Sequence, residues 1–147
     1  MNYGRLALAA VVATIVDGVY GFVVYGNLLM HQFASYPGVY RPADAQASFM
    51  AYLFGGIFLA MLAASCIYAK GYEGGSGLME GARFGVLIGI LEVGYAVIVS
   101  YAVTNIGRRL TGSMAVASLV EWILAGVVIG LVYKPAFASA SRRTSGV

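Results

Sequence analysis

The chain holds four apolar stretches separated by short, turn-rich, charged punctuation. A helix needs about 20 apolar residues to cross a bilayer core, so nothing else in the sequence constrains the fold as strongly. The stretches predict helices at residues 5–33, 45–69, 78–104 and 111–134, an all-α, integral membrane four-helix bundle. Composition points the same way. The chain is 61% hydrophobic and 10% charged, with a mean hydropathy of +0.83, whereas a soluble domain carries about 25% charge. The first stretch is long enough to tilt or protrude. Its Met-Asn-Tyr-Gly-Arg start imitates a signal peptide. The apolar run continues well past the usual roughly 7–15 residues without a small-residue cleavage site, which predicts an uncleaved first helix.

Tyr36-Pro37-Gly38 and Arg41-Pro42 break the chain, and Asp44 is positioned to cap the second helix. Residues 70–77 form a glycine-rich loop, Gly107-Arg108-Arg109 turns into the fourth helix, and Tyr133-Lys134-Pro135 ends it. The expected domain is residues 1–135. Residues 136–147, rich in Ser, Ala and Arg, are expected to be a disordered cytoplasmic tail. The bases divide six to three: Arg5, Lys70, Arg83, Lys134, Arg142 and Arg143 at one end, and Arg41, Arg108 and Arg109 at the other. That asymmetry puts both termini in the cytoplasm, as expected for a bacterial-type inner membrane. Tyr3, Tyr68, Tyr72 and Tyr133 would form one aromatic belt, and Tyr36 and Tyr40 the opposite interface.

Counting excludes several chemistries. One cysteine, Cys66, supplies no CxxC pair or thiolate zinc site, and one histidine, His31, supplies no HExxH helix or bis-histidine haem. Gly74-Gly75-Ser76-Gly77 lacks the lysine of a phosphate loop and is expected to be a linker. The sequence calls for no cofactor or metal and, because the bases follow topology instead of one soluble face, for no nucleic-acid partner. Glu80 and Arg83, spaced i,i+3, are expected to form a surface pair.

Three acids remain inside the apolar stretches. Asp17 lies twelve residues after Arg5, Glu121 twelve after Arg109, and Glu92 nine after Arg83 and thirteen before Asn105. At 1.5 Å per residue each sits roughly 14–20 Å from a helix end, near the middle of a core about 30 Å thick. Turned at about 100° per residue, Asp17 shares a face with Ala10, Ala13, Thr14 and Gly21, and Glu92 with Gly85, Gly89, Ala96 and Ser100. Glu121 shares a face with Ala117, Ser118 and Ala125. Small residues let membrane helices approach, and Gly81, Gly85 and Gly89 extend that pattern, so the acids should face the bundle. Gly56, Ala60 and Ala63 of the second helix would be the apolar wall opposite.

A central Asp costs about 2.5–3.5 kcal/mol to insert, and no base lies at the same depth. The acids must be protonated, hydrogen-bonded to one another and to Tyr20, Tyr95, Thr14 or Ser118, wetted, or neutralised by a cation or a partner. As neutral interhelical bonds they would contribute only about 0.6–2 kcal/mol each. Three at one depth favour a proton- or cation-binding site made by Asp17, Glu92 and Glu121. A short echo links the two hairpins: Asp17-x-x-Tyr20 matches Glu92-x-x-Tyr95, and Ser48 to Tyr68 matches Ser113 to Tyr133.

Asp17-x-x-Tyr20, Gly81-x-x-x-Gly85, Tyr101-x-x-Thr104-Asn105 and Glu121-Trp122 together resemble a family of small four-helix bacterial membrane proteins grouped as a domain of unknown function. The resemblance covers most of residues 5–134 and implies an inner-membrane four-helix protein without naming a reaction. Ala102 stands where that family tends to carry an acid, and Glu92 has no counterpart in it. The expected function is a small proton- or cation-coupled transporter or channel-like protein, working as a homo-oligomer within the lipid bilayer. The alternative is an accessory or assembly subunit of a larger membrane complex. Enzymatic work ranks last, since no nucleophile accompanies the acids.

Overall fold

The computed structural model describes residues 1–133, and every regular element in them is helical. Four helices are long and apolar enough to cross a membrane: α1 (Tyr3–Leu28), α2 (Asp44–Gly71), α3 (Gly77–Val103) and α4 (Arg108–Val132). Lys134, the predicted end of the last helix, and the predicted tail at 136–147 lie outside the described residues.

The helix ends differ from expectation for local reasons. α1 starts at Tyr3 because the Asn2 side chain accepts the Arg5 backbone N–H at 3.2 Å. Asp44 does not cap α2: it lies inside the first turn, where its charge suits the positive end of the helix dipole. The expected first helix to residue 33 is divided. Regular α-helix over Tyr3–Val23 passes into a π-helical turn at Val24–Leu28, and after Leu29 comes a separate short helix, Met30–Ala34, which carries the exposed His31. α3 has the same construction, with regular helix at Gly77–Glu92, a π turn at Val93–Ile98 and a last α turn at Val99–Val103. α4 is uninterrupted.

α1 packs between α2 and α4, and α3 lies along the far side of α4. The α3–α4 approach is set by glycine on both helices. Gly77 faces Gly130 and Gly81 faces Gly126 so closely that a Cβ on any of the four would run into the opposite backbone. Gly85 lies on the backbone at Trp122, and Gly89 on Leu119. In lipid, where apolar side chains gain little by leaving their surroundings, such backbone approach is the main source of packing energy.

The core joins Leu6, Ala9 and Ala13 of α1 to Met61, Ala64 and Tyr68 of α2 and to Ala125 and Ile129 of α4. α2 therefore turns a different face inward from the one expected: Gly56 and Ala63 are exposed, while Met61, Ala64, Ser65 and Tyr68 are buried. The expected belt of tyrosines is also corrected. Tyr68 and Tyr133 are 4% and 2% exposed. They meet edge-on at 6.1 Å, with Phe84 5.5 Å from Tyr68 and Tyr72 packed beside both. These rings seal the bundle end, and of the predicted belt Tyr3 alone is broadly exposed. Glu80 does not pair with Arg83. One of its carboxylate oxygens accepts the Gly75 N–H, and the other is buried beside Tyr68.

At the opposite end, residues 29–42 fold over the start of α4. The Tyr36 hydroxyl accepts the Gly107 N–H at 3.0 Å, and the Tyr40 hydroxyl donates to Met114 Sδ at 3.6 Å.

Candidate functional site

α1 and α4 meet around two of the three acids. Asp17, buried on α1, places its carboxyl within hydrogen-bonding reach of the Glu121 carboxyl on α4. An ionised carboxylate has only acceptors, so two carboxyls hydrogen-bond each other only by sharing a proton. Glu121 Oε2 also accepts the Tyr25 hydroxyl at 2.8 Å, and that hydroxyl lies 3.2 Å from Ser118 Oγ. One interhelical cluster thus contains two carboxyls, a phenol and a serine. Tyr20 stands beside it, close enough to interact electrostatically with both acids, while its hydroxyl donates to the Ala117 carbonyl at 2.9 Å.

Glu92 is not part of this cluster. It is half-buried on α3, near enough for its charge to act on Glu121, and makes no hydrogen bond among the described residues. Three other expected participants sit elsewhere. Tyr95 is 79% exposed and faces away from the bundle. Thr14 donates to the Ala10 carbonyl at 2.8 Å within its own helix. Gly21 is no close-approach site, because a Cβ there would meet only Tyr25 of the same helix. It is Gly18 that lies against α2, at the Phe54 ring. Gly81, Gly85 and Gly89 hold α3 on α4.

Tyr25 is the member that helical periodicity misses. It follows Asp17 by eight residues, which on a regular helix rotates it about 80° from the acid. The helix widens into a π turn at Val24–Leu28, and from its start the Tyr25 side chain reaches Glu121 and Ser118 on α4. In α3 a π turn shifts the packing face itself. Val97, eight residues after Gly89, is 2% exposed and continues the glycine face, while Ala96, which was expected there, is exposed.

The pair is closed toward both helix ends. On one side Tyr20, Tyr25, Phe33 and Tyr40 meet in succession, edge-on or tilted, with ring centroids 6.4, 6.4 and 4.8 Å apart. On the other, Ala9, Ala13, Met61, Ala125 and Ile129 form a tightly packed apolar layer. Among the described residues no three His, Cys, Asp or Glu side chains converge to hold a metal ion. The arrangement can bind one positive charge between two carboxyls, as a shared proton or as a cation, with hydroxyls completing the shell.

Comparison with protein-family models, with curated proteins and with solved structures finds no match to this chain.

Proposed function

We propose that this chain is a multi-pass protein of a bacterial-type inner membrane, with both termini cytoplasmic, and that its Asp17–Glu121 pair takes up and releases a proton or a cation as part of a small coupled transporter or channel-like assembly. One observation carries the reading: two acids from separate, strongly apolar helices meet each other and the Tyr25 hydroxyl in a cluster that, among the described residues, holds no Lys or Arg. Intramembrane acids are costly, and a pair that holds one proton between two carboxyls is a site where that proton can be exchanged. The six-to-three division of basic residues supports the orientation. Glu92 stands near Glu121 but outside the hydrogen-bonded cluster.

A second reading rests on α3. Its face away from α4 is bare, with Leu87 67%, Leu91 64% and Val103 76% exposed, and Glu92 stands half-buried with no hydrogen bond among the described residues. That surface suits a homo-oligomer or an accessory subunit docked on a larger membrane complex.

Difference infrared spectroscopy of the purified protein across roughly pH 4–10, the range in which perturbed carboxyls titrate, tests the first reading. Wild type is compared with Asp17→Asn, Glu121→Gln and Glu92→Gln. The Asp17 and Glu121 bands should titrate, each should shift when the other acid is amidated, and both should respond to added cation, whereas Glu92→Gln should move them only slightly. Carboxyl bands that never change would overturn the exchange site and leave the acids as packing groups, in keeping with a subunit recovered with a stoichiometric partner.

A further inference from the structure

The carboxyl pair is closed along the bundle axis, yet the α1–α4 seam opens sideways just beside it. An apolar groove of about 550 Å³ runs along that seam, walled by Tyr20, Val24 and Leu28 of α1 and by Ser113, Val116 and Val120 of α4. It extends over eight residues of α1, about 12 Å. Its outer walls are bare, with Leu28 69% and Val116 67% exposed, and its volume is within the roughly 300–1,000 Å³ of small-molecule sites.

What separates the groove from the acids is Tyr20. The ring lines the groove, the hydroxyl is bonded to Ala117 on the groove floor, and both carboxyls lie within electrostatic reach behind it. Ala117 and Tyr20 are each about one helical turn from an acid, Glu121 and Asp17 respectively. Among the described residues no base lines the groove. Its other side-chain hydroxyl, on Ser113, is engaged by Gln32 at 3.2 Å. A strongly hydrated inorganic ion would find almost nothing there to replace its water, and an anion would meet two acids. A molecule with an apolar body and one positive end fits both the walls and the charge, and the Tyr20 ring offers a cation a π face at the point of entry.

We propose that the groove admits an amphiphilic organic cation from the side, and that its charged end displaces the proton shared by Asp17 and Glu121 once the Tyr20 hydroxyl leaves Ala117. The inference rests on the exchange reading above and names its substrate class. Charge balances. One carboxylate and one carboxylic acid, net charge −1, become two carboxylates and one bound cation, again −1, with one proton released. Cation and proton then compete for one site, which is the requirement for exchanging one against the other.

Octyltrimethylammonium, permanently charged at one end and carrying no exchangeable proton, is the probe, with the full chain in lipid nanodiscs and empty nanodiscs as the reference. Saturable binding should release one proton per cation and weaken about tenfold per pH unit on the acid side of the pair's titration. Glu121→Gln should abolish it. Gly112 borders the groove with open space around it, so Gly112→Leu should weaken binding at least tenfold while the infrared titration of the carboxyls stays as in wild type. Tyr20→Phe should retain binding and accelerate entry, because the ring remains while its hydrogen bond is lost. If the carboxyls titrate but the cation releases no proton, or Gly112→Leu binds as well as wild type, this proposal falls and the exchange site stands. If the carboxyls do not titrate, the exchange site itself falls. If Gly112→Leu instead lowers the assembled mass, the groove is an interface between copies of the chain and the proposal is overturned.

Discussion

α1 and α3 are built to one plan, and only one of them makes a site. Each carries an acid followed three residues later by a tyrosine, and each passes from α-helix into a π turn. In α1 the π turn begins seven residues after Asp17, so the Asp17-x-x-Tyr20 segment stays regular and Tyr25, at the start of the turn, reaches Glu121. In α3 it begins immediately after Glu92. The tyrosine of the motif is then itself displaced and points outward, and the residue brought onto the packing face is Val97. α1 is also packed along its length by both α2 and α4, whereas α3 is packed along α4 and meets α2 at the bundle end, where Phe84 and Glu80 lie against Tyr68. A shared motif is therefore no evidence of a shared role when the phase of the helix changes within it. Where the π turn falls decides which side chain meets the neighbour.

The largest test of the difference breaks the main contact of α3, its glycine seam with α4. In Gly85→Leu the new side chain would meet the α4 backbone at Trp122 and Ile123, which cannot move as a side-chain end can. Overpacking costs about 1–3 kcal/mol and occasionally more, and this variant should lie at the upper end. Gly94→Leu, on the same helix with open space around it, should stay within about 0.5 kcal/mol of wild type. Unfolding of the purified protein by denaturant in detergent measures both. Equal losses would mean that α3 is not seated by its glycines.

Smaller, but aimed at the site, is the contrast between the two tyrosines. Tyr25→Phe removes a donor to Glu121 and the contact with Ser118, and interhelical bonds of this kind contribute about 0.6–1.7 kcal/mol. Tyr95→Phe, on an exposed ring, should change nothing measurable. A double-mutant cycle of Tyr25→Phe with Glu121→Gln should show coupling, because the hydroxyl and the carboxyl are in direct contact. An uncoupled pair would place Tyr25 outside the cluster.

The parts of this molecule that sequence reveals are those where the helix is regular and a polar group marks its phase. α4 runs unbroken, and Glu121 shares its inward face with Ala117, Ser118 and Ala125, as the wheel requires. α2 lacks such a marker. With no charge in its apolar run, every azimuth looks alike, and the wall expected at Gly56 and Ala63 lies instead at Met61, Ala64, Ser65 and Tyr68. Depth was readable for Tyr68 and Tyr133, since it follows from residue count. Direction was not, and rings expected in a lipid-facing belt close the end of the core. Gly126-x-x-x-Gly130 carried the same small-residue spacing as Gly81-x-x-x-Gly85 and was available as the matching half of the α3–α4 contact. Tyr25 had no such signal, because nothing in Val24–Leu28 announces an extra residue in the turn.

The finest test isolates that extra residue in α3, away from any acid. If the π turn sets the phase, Val97 is packed and Ala96 is not, so Val97→Ala should cost about 1 kcal/mol while Ala96→Leu stays within about 0.5. The cost is modest because the unfolded helices remain in lipid: no transfer from water is lost, only the contacts around two missing methyl groups. A regular helix predicts the reverse order. It would put Ala96 against α4, where leucine has no room, and leave Val97 facing lipid, where alanine is harmless. By the same arithmetic a regular α1 would carry Tyr25 about 80° away from Asp17, so the sign of this small difference in α3 also bears on how the larger site in α1 is assembled.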